Sequence, residues 1–483
     1  MNFRIVSKFL SAMILLISAS MLFPLLWALK DGTNDVRAFA LSIAIGVVFS
    51  SILFVFGHKA DSKDMRTREA FAAVALAWVF ASFQGCLPYM LGGYIPSFTD
   101  AYFETMSGFT TTGATILKDI EINPRGILMW RAETQWLGGM GIVVLTIALL
   151  PMLGMRVTQL FKAEVPGPVL EKISPRIQDM AIMLWEVYMG LTFVGIVVLA
   201  AGGMSVYESI CHIFTAVSTG GFSPRNASTA AYNSSYVDWA LTLIMFLSGA
   251  NFNLHLLAVK NKTLRPYRDP EFRFYSEIIF LSTCAVAIYI YTQGFFGNIA
   301  DAVRFAAFHV VSIITTTGFV SADYSLWPPL TQMLLLSLMF VGGCAGSTAG
   351  AIKCIRVKIA GKQIASEIKT FIHPNAAVPV RIGEQTIDHK MVSSVTSFIV
   401  LYFIIFILSV IAVSATGQDM ITSIGGVATT LGNVGPGFGA VGPVNNFASQ
   451  PLFAKWVYIF CMLCGRLELY TVLVLFSKDS WRR

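Results

Sequence analysis

Four short stretches decide how this chain is read: Thr111-Thr112-Gly113-Ala114-Thr115, Thr219-Gly220-Gly221-Phe222-Ser223, Thr316-Thr317-Gly318-Phe319-Val320 and Asn433-Val434-Gly435-Pro436-Gly437. In each, a glycine follows uncharged small, β-branched or polar residues, a composition suited to an extended backbone whose successive carbonyl oxygens turn toward one axis. Any one of them is equally readable as an ordinary outer turn. Four at matching places can form a ring, and a dehydrated alkali cation needs several carbonyl dipoles at once, which one strand cannot supply. Thr, Ser or Asn beside the glycine can brace such a loop by side-chain hydrogen bonds. The lack of carboxylates in the loops fits a monovalent ion that must also be released.

The surroundings of these loops are apolar. Of 483 residues, 55% are hydrophobic and only 13% charged, against roughly 25% charged in ordinary soluble proteins. Runs long enough to span a hydrocarbon core recur at 9–29, 38–57, 70–91, 132–150, 181–201, 236–258, 275–293, 329–352, 391–415 and 455–476, giving about ten transmembrane helices. With the N-terminus in the cytoplasm, most of the 34 Lys+Arg fall on the inner side: Arg4, Lys8, the loops 57–70, 155–180, 259–274 and 353–390, and the C-terminus. Lys30, Arg37, Lys118, Arg125, Arg131, Arg225 and Arg304 fall outside, while Lys455 and Arg466 lie in or beside the last span. This bias predicts a multi-pass protein with both termini cytoplasmic.

The same bias accounts for the net charge of +7 without nucleic acid, because the basic residues sit in loops rather than on one groove-reading face. The first span continues past Ser18-Ala19-Ser20 to about Leu29 and is followed by a second, so it reads as an uncleaved helix. Seven cysteines lie in or beside apolar spans with no paired framework and read as reduced, packed thiols. Cys461-x-x-Cys464 has no accompanying pair or histidines and reads as packing rather than a metal half-site. No nucleophile, base and orienting group recur together, so no enzyme is expected. Neither a Gly-x-x-x-x-Gly-Lys-[Ser/Thr] loop nor a dinucleotide fingerprint is present, and nucleotide control would have to come from another chain.

The loop glycines at 113, 221, 318 and 435 are spaced to accommodate two spans, a half-helix and connections per repeat. The predicted architecture is an all-α membrane protein with four parallel helix/pore-loop/helix repeats around a central ion pore. Its expected divisions are 1–69 for two N-terminal spans, then repeats at 70–155, 156–262, 263–372 and 373–483. Before each loop lies a segment too short to cross the membrane: Asp100 to Phe109, Tyr207 to Val217, Ala300 to Ile314 and Asp419 to Thr430. These read as re-entrant half-helices. Asp100, Glu208, Asp301 and Asp419 stand near their starts, as N-terminal caps or as attractors of cations to the mouth. His212 and His309, within two of the segments, read as hydrogen-bonded packing residues.

A second constellation is Gly342-Gly343-Cys344-Ala345-Gly346-Ser347-Thr348-Ala349-Gly350-Ala351-Ile352-Lys353. Its glycines interrupt the span after the third loop, and broken helix at membrane depth is tolerated where it faces a cavity or is buried in protein. The expectation is a movable barrier under the filter; the alternative is a small-residue helix contact pairing Gly342 with Gly346 and Gly346 with Gly350. Arg466, inside the final span, costs about 2.5–3.5 kcal/mol on insertion scales unless it faces water or a partner. It reads as pore-facing, where its charge would oppose cation leak, or as snorkelling to the cytoplasmic interface. The fourth filter loop admits Gly435 or Gly437 against Gly221 and Gly318; Gly435 is preferred because its segment shares the glycine spacing of the Thr-Val-Gly-Tyr-Gly potassium-channel signature.

Taken together, the Thr-Thr-Thr-Gly-Ala loop, Trp136-Leu137-Gly138-Gly139-Met140-Gly141, Pro166-Gly167-Pro168, Arg268-Asp269-Pro270-Glu271-Phe272-Arg273, the break at 342–353, His373-Pro374 and Gly465-Arg466-Leu467-Glu468 resemble the TrkH/TrkG family. These are the bacterial potassium-uptake subunits of the Trk/Ktr/HKT superfamily. The likeness covers nearly the whole chain, though family members usually carry glycine where this chain has Ala349 and Ala351. It implies a homodimer in the bacterial inner membrane with one pore per subunit, a four-loop filter, an intramembrane gate at 342–353 and Arg466 beneath the filter. It also implies TrkA-type cytoplasmic nucleotide-binding partners. The expected cargo is K+, with no organic cofactor, and K+ at the filter as the only metal. The filter is less uniform than Thr-Val-Gly-Tyr-Gly, so moderate selectivity over Na+ is expected. A proton- or sodium-coupled secondary transporter is the alternative; it would call for inverted repeats and a charged midplane site.

Overall fold

The computed structural model describes residues 2–60, 67–141, 177–375 and 378–476. Pro166-Gly167-Pro168, the second half of the run 132–150, most of the basic loop 155–180 and the basic C-terminus lie outside these residues. The chain opens with helices α1 (Phe3–Ser20), α2 (Leu22–Asp31) and α3 (Asp35–Gly57). Next come α4 (Thr67–Leu91), the short half-helix α5 (Phe98–Phe109) and α6 (Arg125–Gly139). They are followed by α7 (Ile177–Ala201), the half-helix α8 (Val206–Val217), α9 (Ser235–Ser248) and α10 (Phe252–Asn261). Then come α11 (Pro270–Thr292), the half-helix α12 (Ile299–Ile314), α13 (Pro329–Leu338) and α14 (Cys354–Ile372). The last group is α15 (His389–Ser414), the half-helix α16 (Met420–Gly432), α17 (Leu452–Arg466) and α18 (Tyr470–Leu473). Among the described residues, sheet is confined to a two-stranded antiparallel ribbon, β1 (Arg381–Ile382) with β2 (Gln385–Thr386).

Among the described residues, six helices are long and apolar enough to cross a membrane, and up to eight spans result if each of two bent pairs is one span. Two runs that read as continuous spans are broken. The run 236–258 divides into α9 and α10, bent by 95°, and 455–476 divides into α17 and the short helical segment Tyr470–Phe476, bent by 114°. The run 329–352 is helical only through α13, after which the backbone turns back and pairs Val341 with Ile352. A window long enough to span the membrane averages over the few polar residues at the first two breaks, Ser248 to Asn251 and Gly465 to Glu468, so the runs read as continuous; the third is the interruption expected from the glycines of 342–353.

The half-helices match their expected segments to within two residues, but their capping differs. The side chains that accept from the first-turn amides are Ser97, Ser205 and Asn298, with Asp100, Glu208 and Asp301 three residues further in. Only Asp419 caps directly, and hydrogen bonds from Thr422 hold its carboxyl below the ordinary range. The physical reason is reach. A short Ser or Asn side chain one residue outside the helix meets the free amides, whereas an acid in the first turn acts through the helix dipole. Ser205 also donates to Glu208 at 2.8 Å. Each half-helix packs against helices adjacent to it in sequence, and α8 also meets α6, α12 meets α9, and α5 meets α17 near the other end of the chain. The ends of the chain are thereby drawn into one circle around the half-helix tips.

Candidate functional site: a ring of four backbone loops

At the end of each half-helix the chain enters the left-handed region at Thr111, Thr219, Thr316 and Asn433, with φ between 52° and 56°. Asparagine tolerates this conformation; for β-branched threonine it is strained, and such strain persists only where surroundings over-determine it. The amides immediately after lock the turn. Thr112, Gly220, Thr317 and Val434 each donate to the carbonyl five residues earlier, those of Ser107, Thr215, Ser312 and Thr429. Bonded back to their helices in this way, the loops share one backbone path.

Two residues after each left-handed turn stands a glycine with positive φ: Gly113 (82°), Gly221 (77°), Gly318 (79°) and Gly435 (106°). Their neighbours explain the requirement. A Cβ on Gly113 would strike the carbonyl of Gly220, on Gly221 that of Thr317, on Gly318 that of Val434, and on Gly435 that of Thr112. The contacts run from loop one to two, two to three, three to four and four back to one. This closed cycle sets Gly435, not Gly437, in register with the other three glycines; Gly437 instead packs on Gly425.

One cavity of about 150 Å³ opens on the face bounded by Gly113, Gly221, Gly318 and Gly435, with Lys118, Arg131 and Arg225 also lining it. A second, of about 120 Å³, lies between Gly139, Gly346, Gly350, Lys353 and Arg466. The segment 341–353, which lines the second cavity, lies against the ring, with Gly350 beside Gly432 and Asn433. That segment is not helical, so the Gly-xxx-Gly contact does not form; Gly342 instead packs on Gly350 within the loop. Gly342 donates to Ile352 at 2.8 Å, and Cys344 to Gly249 at the break between α9 and α10 at 2.9 Å. Glu271 accepts from the amides of Ala345 (2.7 Å) and Ile355 (3.1 Å), holding the loop's two arms.

Two contacts tie this loop to the ring. Thr316 accepts from the Gly350 amide at 2.7 Å, and Thr348 donates to Val217 at the end of α8 at 3.0 Å. Ser347 donates to Cys344 within the loop, and the Lys353 ammonium returns to the Ala349 carbonyl. Arg466 joins the parts, donating to Thr111 of the first ring loop (3.1 Å), Thr348 of the segment 341–353 (2.9 Å) and the Gly138 and Gly139 carbonyls at the end of α6 (2.6 Å each). Glu468 pairs with Arg356 rather than with Arg466. His212 is hydrogen-bonded to the Glu208 carbonyl and to Ser223, and His309 to the Phe305 carbonyl.

Three buried residues around the ring escaped the sequence reading: Glu104, Arg131 and Gln135. Arg131, assigned from sequence to the outer side, is buried in α6 in a 2.6 Å ion pair with Glu104. Glu104 also accepts from Thr115 and the Ile116 amide just beyond the first loop. The Arg131 guanidinium stacks 3.6 Å from the Phe222 ring and donates to the Ser223 carbonyl at the end of the second. Their sequence signal was slight: a carboxylate and a guanidinium in otherwise apolar segments, where an ionised group calls for a partner.

An apolar helical scaffold carrying four backbone loops closed in a ring defines a multi-span membrane protein. A family profile described as cation transport protein, TrkH, matches residues 36–482, and the chain belongs to that family. It is 37% identical over 487 residues to the Trk system potassium uptake protein TrkH of Salmonella typhimurium, covering all of both chains. It is 33% identical to the Trk system potassium uptake protein TrkG of Escherichia coli, covering 99% of each. The crystal structure of the potassium transporter TrkH from Vibrio parahaemolyticus superposes with a TM-score of 0.89 at 33% identity over the whole of both chains.

Proposed function

We propose that this chain takes up K+ across the bacterial inner membrane through a channel-like pore, with both termini in the cytoplasm. The observation that carries the reading is the cycle of glycine-to-carbonyl contacts, which leaves room for backbone alone at the narrowest part of the ring. Peptide oxygens of Thr111-Thr112-Gly113, Thr219-Gly220-Gly221, Thr316-Thr317-Gly318 and Asn433-Val434-Gly435 would replace the hydration shell of the ion. The relatives named above as potassium uptake proteins support the choice of cargo.

In this reading the segment Gly342 to Lys353 and Arg466 form the gate. The loop meets Thr316, Val217 and Arg466 through one hydrogen bond each, while Gly249 and Glu271 anchor its arms, so a movement that exchanges the three contacts can leave the arms in place. Homodimerisation and control by TrkA-type cytoplasmic subunits belong to the same proposal, with 267–273 and 353–390 as docking segments, as does the division into two N-terminal spans and four repeats. The test is flux of K+, Rb+ and Na+ into liposomes holding the purified protein, with and without a pH gradient. The expected result is K+ entry exceeding Na+ entry moderately and independent of the pH gradient. Equal K+ and Na+ permeability would overturn the filter assignment, and K+ accumulation driven by the pH gradient would favour coupled transport.

A further inference from the structure

The second loop departs from the others at one position. Where the first, third and fourth carry Thr112, Thr317 and Val434 before the key glycine, the second carries Gly220. The space a β-branched side chain would occupy there is filled from outside the loop. A Cβ on Gly220 would overlap the carboxamide of Gln135, whose Nε2 lies 2.8 Å from that point. Gln135 is fully buried in α6 and grips the loop on both sides of Gly221, donating to the Gly220 carbonyl at 2.7 Å and accepting from the Phe222 amide at 3.0 Å.

The scaffold gives this clasp no counterpart in the fourth repeat. Gly138, three residues after Gln135, backs onto the Phe109 carbonyl, and Gly465, three residues after Met462, backs onto the Leu431 carbonyl. Phe109 and Leu431 each stand four residues before their loop glycine. Met462 therefore takes the place of Gln135 and brings no amide. In the first and third loops the β-branched residue is bonded within its own loop, Thr110 to Thr112 and Thr315 to Thr317, each at 2.8 Å; the Asn433 carboxamide, itself bonded to the Met462 carbonyl, also donates to the Thr112 hydroxyl at 2.9 Å, but to a side chain and not to a loop carbonyl.

From this we propose that Gln135 is a specificity-determining positioning residue: its carboxamide fixes the Gly220 carbonyl and so sets the ion preference of the ring from outside the pore. The proposal rests on the filter reading above. Its physical content is that the Gly220 oxygen is claimed by a side-chain amide, which limits both its position and its capacity to move inward around a smaller ion. Freed from that bond, the second loop would adapt to Na+ as well as to K+, because a Gly-Gly pair has the least conformational restraint of the four.

The experiment compares K+, Rb+ and Na+ flux into liposomes for the unaltered chain, Gln135→Ala, Gly220→Thr and the double variant Gln135→Ala/Gly220→Thr, with incorporation checked by quantitative recovery. Gln135→Ala is expected to lower the K+/Na+ permeability ratio by about tenfold, the scale of one buried hydrogen bond, with K+ flux retained. Gly220→Thr alone should abolish flux, since its side chain meets the carboxamide. The double variant, in which the threonine fills the vacated space, should regain K+ flux and part of the ratio. An unchanged ratio in Gln135→Ala would overturn the proposal, as would a double variant no more active than Gly220→Thr, whether through inactivity or failure to fold. If the unaltered chain itself shows no K+ preference, the filter reading fails and not this residue's role alone.

Discussion

Replacing Arg466 is the sharpest probe of the proposed barrier, because the residue combines a charge with hydrogen bonds to Thr111, Thr348, Gly138 and Gly139 whose effects can be separated. Its guanidinium lies 3.1 Å from the Thr111 hydroxyl, on the first loop of the proposed filter. A cation on the filter axis would then stand on the order of 6 Å from the charge, where repulsion at an effective dielectric near 20 is about 3 kcal/mol. That corresponds to roughly a hundredfold in rate. The bonds to Thr348, Gly138 and Gly139 oppose this simplicity, since losing them also loosens the loop. Arg466→Gln removes the charge while keeping an amide donor, and Arg466→Lys keeps the charge while losing the planar fork. If repulsion sets the barrier, Gln and Ala should raise basal K+ flux in liposomes toward that hundredfold, and Lys should stay within a few-fold of the unaltered protein. Flux unchanged in both Gln and Ala would refute the reasoning; a rise in Lys equal to that in Ala would assign the effect to lost bonds instead of charge.

Deleting 344–348 should raise K+ flux if the loop obstructs the pore, read in the same liposomes after confirming that the protein folds; unchanged flux counts against a gate. Breaking the buried Glu104–Arg131 pair by Arg131→Leu should cost about 3–5 kcal/mol, because Glu104 is left as an uncompensated charge, whereas Glu104→Gln/Arg131→Leu should recover much of that loss. Thermal unfolding in detergent measures both, and equal stability of the two variants would show the pair to be unimportant. Gly318→Ala should abolish transport, since the added Cβ meets the Val434 carbonyl, while Gly190→Ala in α7, with open space around it, should be neutral or stabilise by up to about 1 kcal/mol. Comparable flux in the two would mean that the ring tolerates side chains.

By itself the sequence determined the membrane setting, the half-helices and the loops, because each rests on a local pattern: hydropathy over one span, a polar start to a short apolar segment, a glycine after β-branched residues. It also singled out 342–353 and Arg466, since glycines and a guanidinium are conspicuous at membrane depth. What only the tertiary structure decided were relations between distant segments. The bends after Ser248 and Arg466 are not legible from sequence, because a few polar residues inside a long apolar run do not say whether the helix continues through them; the partners that take up the freed backbone groups decide it. The register of the fourth loop is set by Gly435 meeting the first loop, more than three hundred residues away. Gly220 and Gln135, or Glu104 and Arg131, are legible only as pairs, because the reason for each residue is the shape or charge of a partner that folding brings to it.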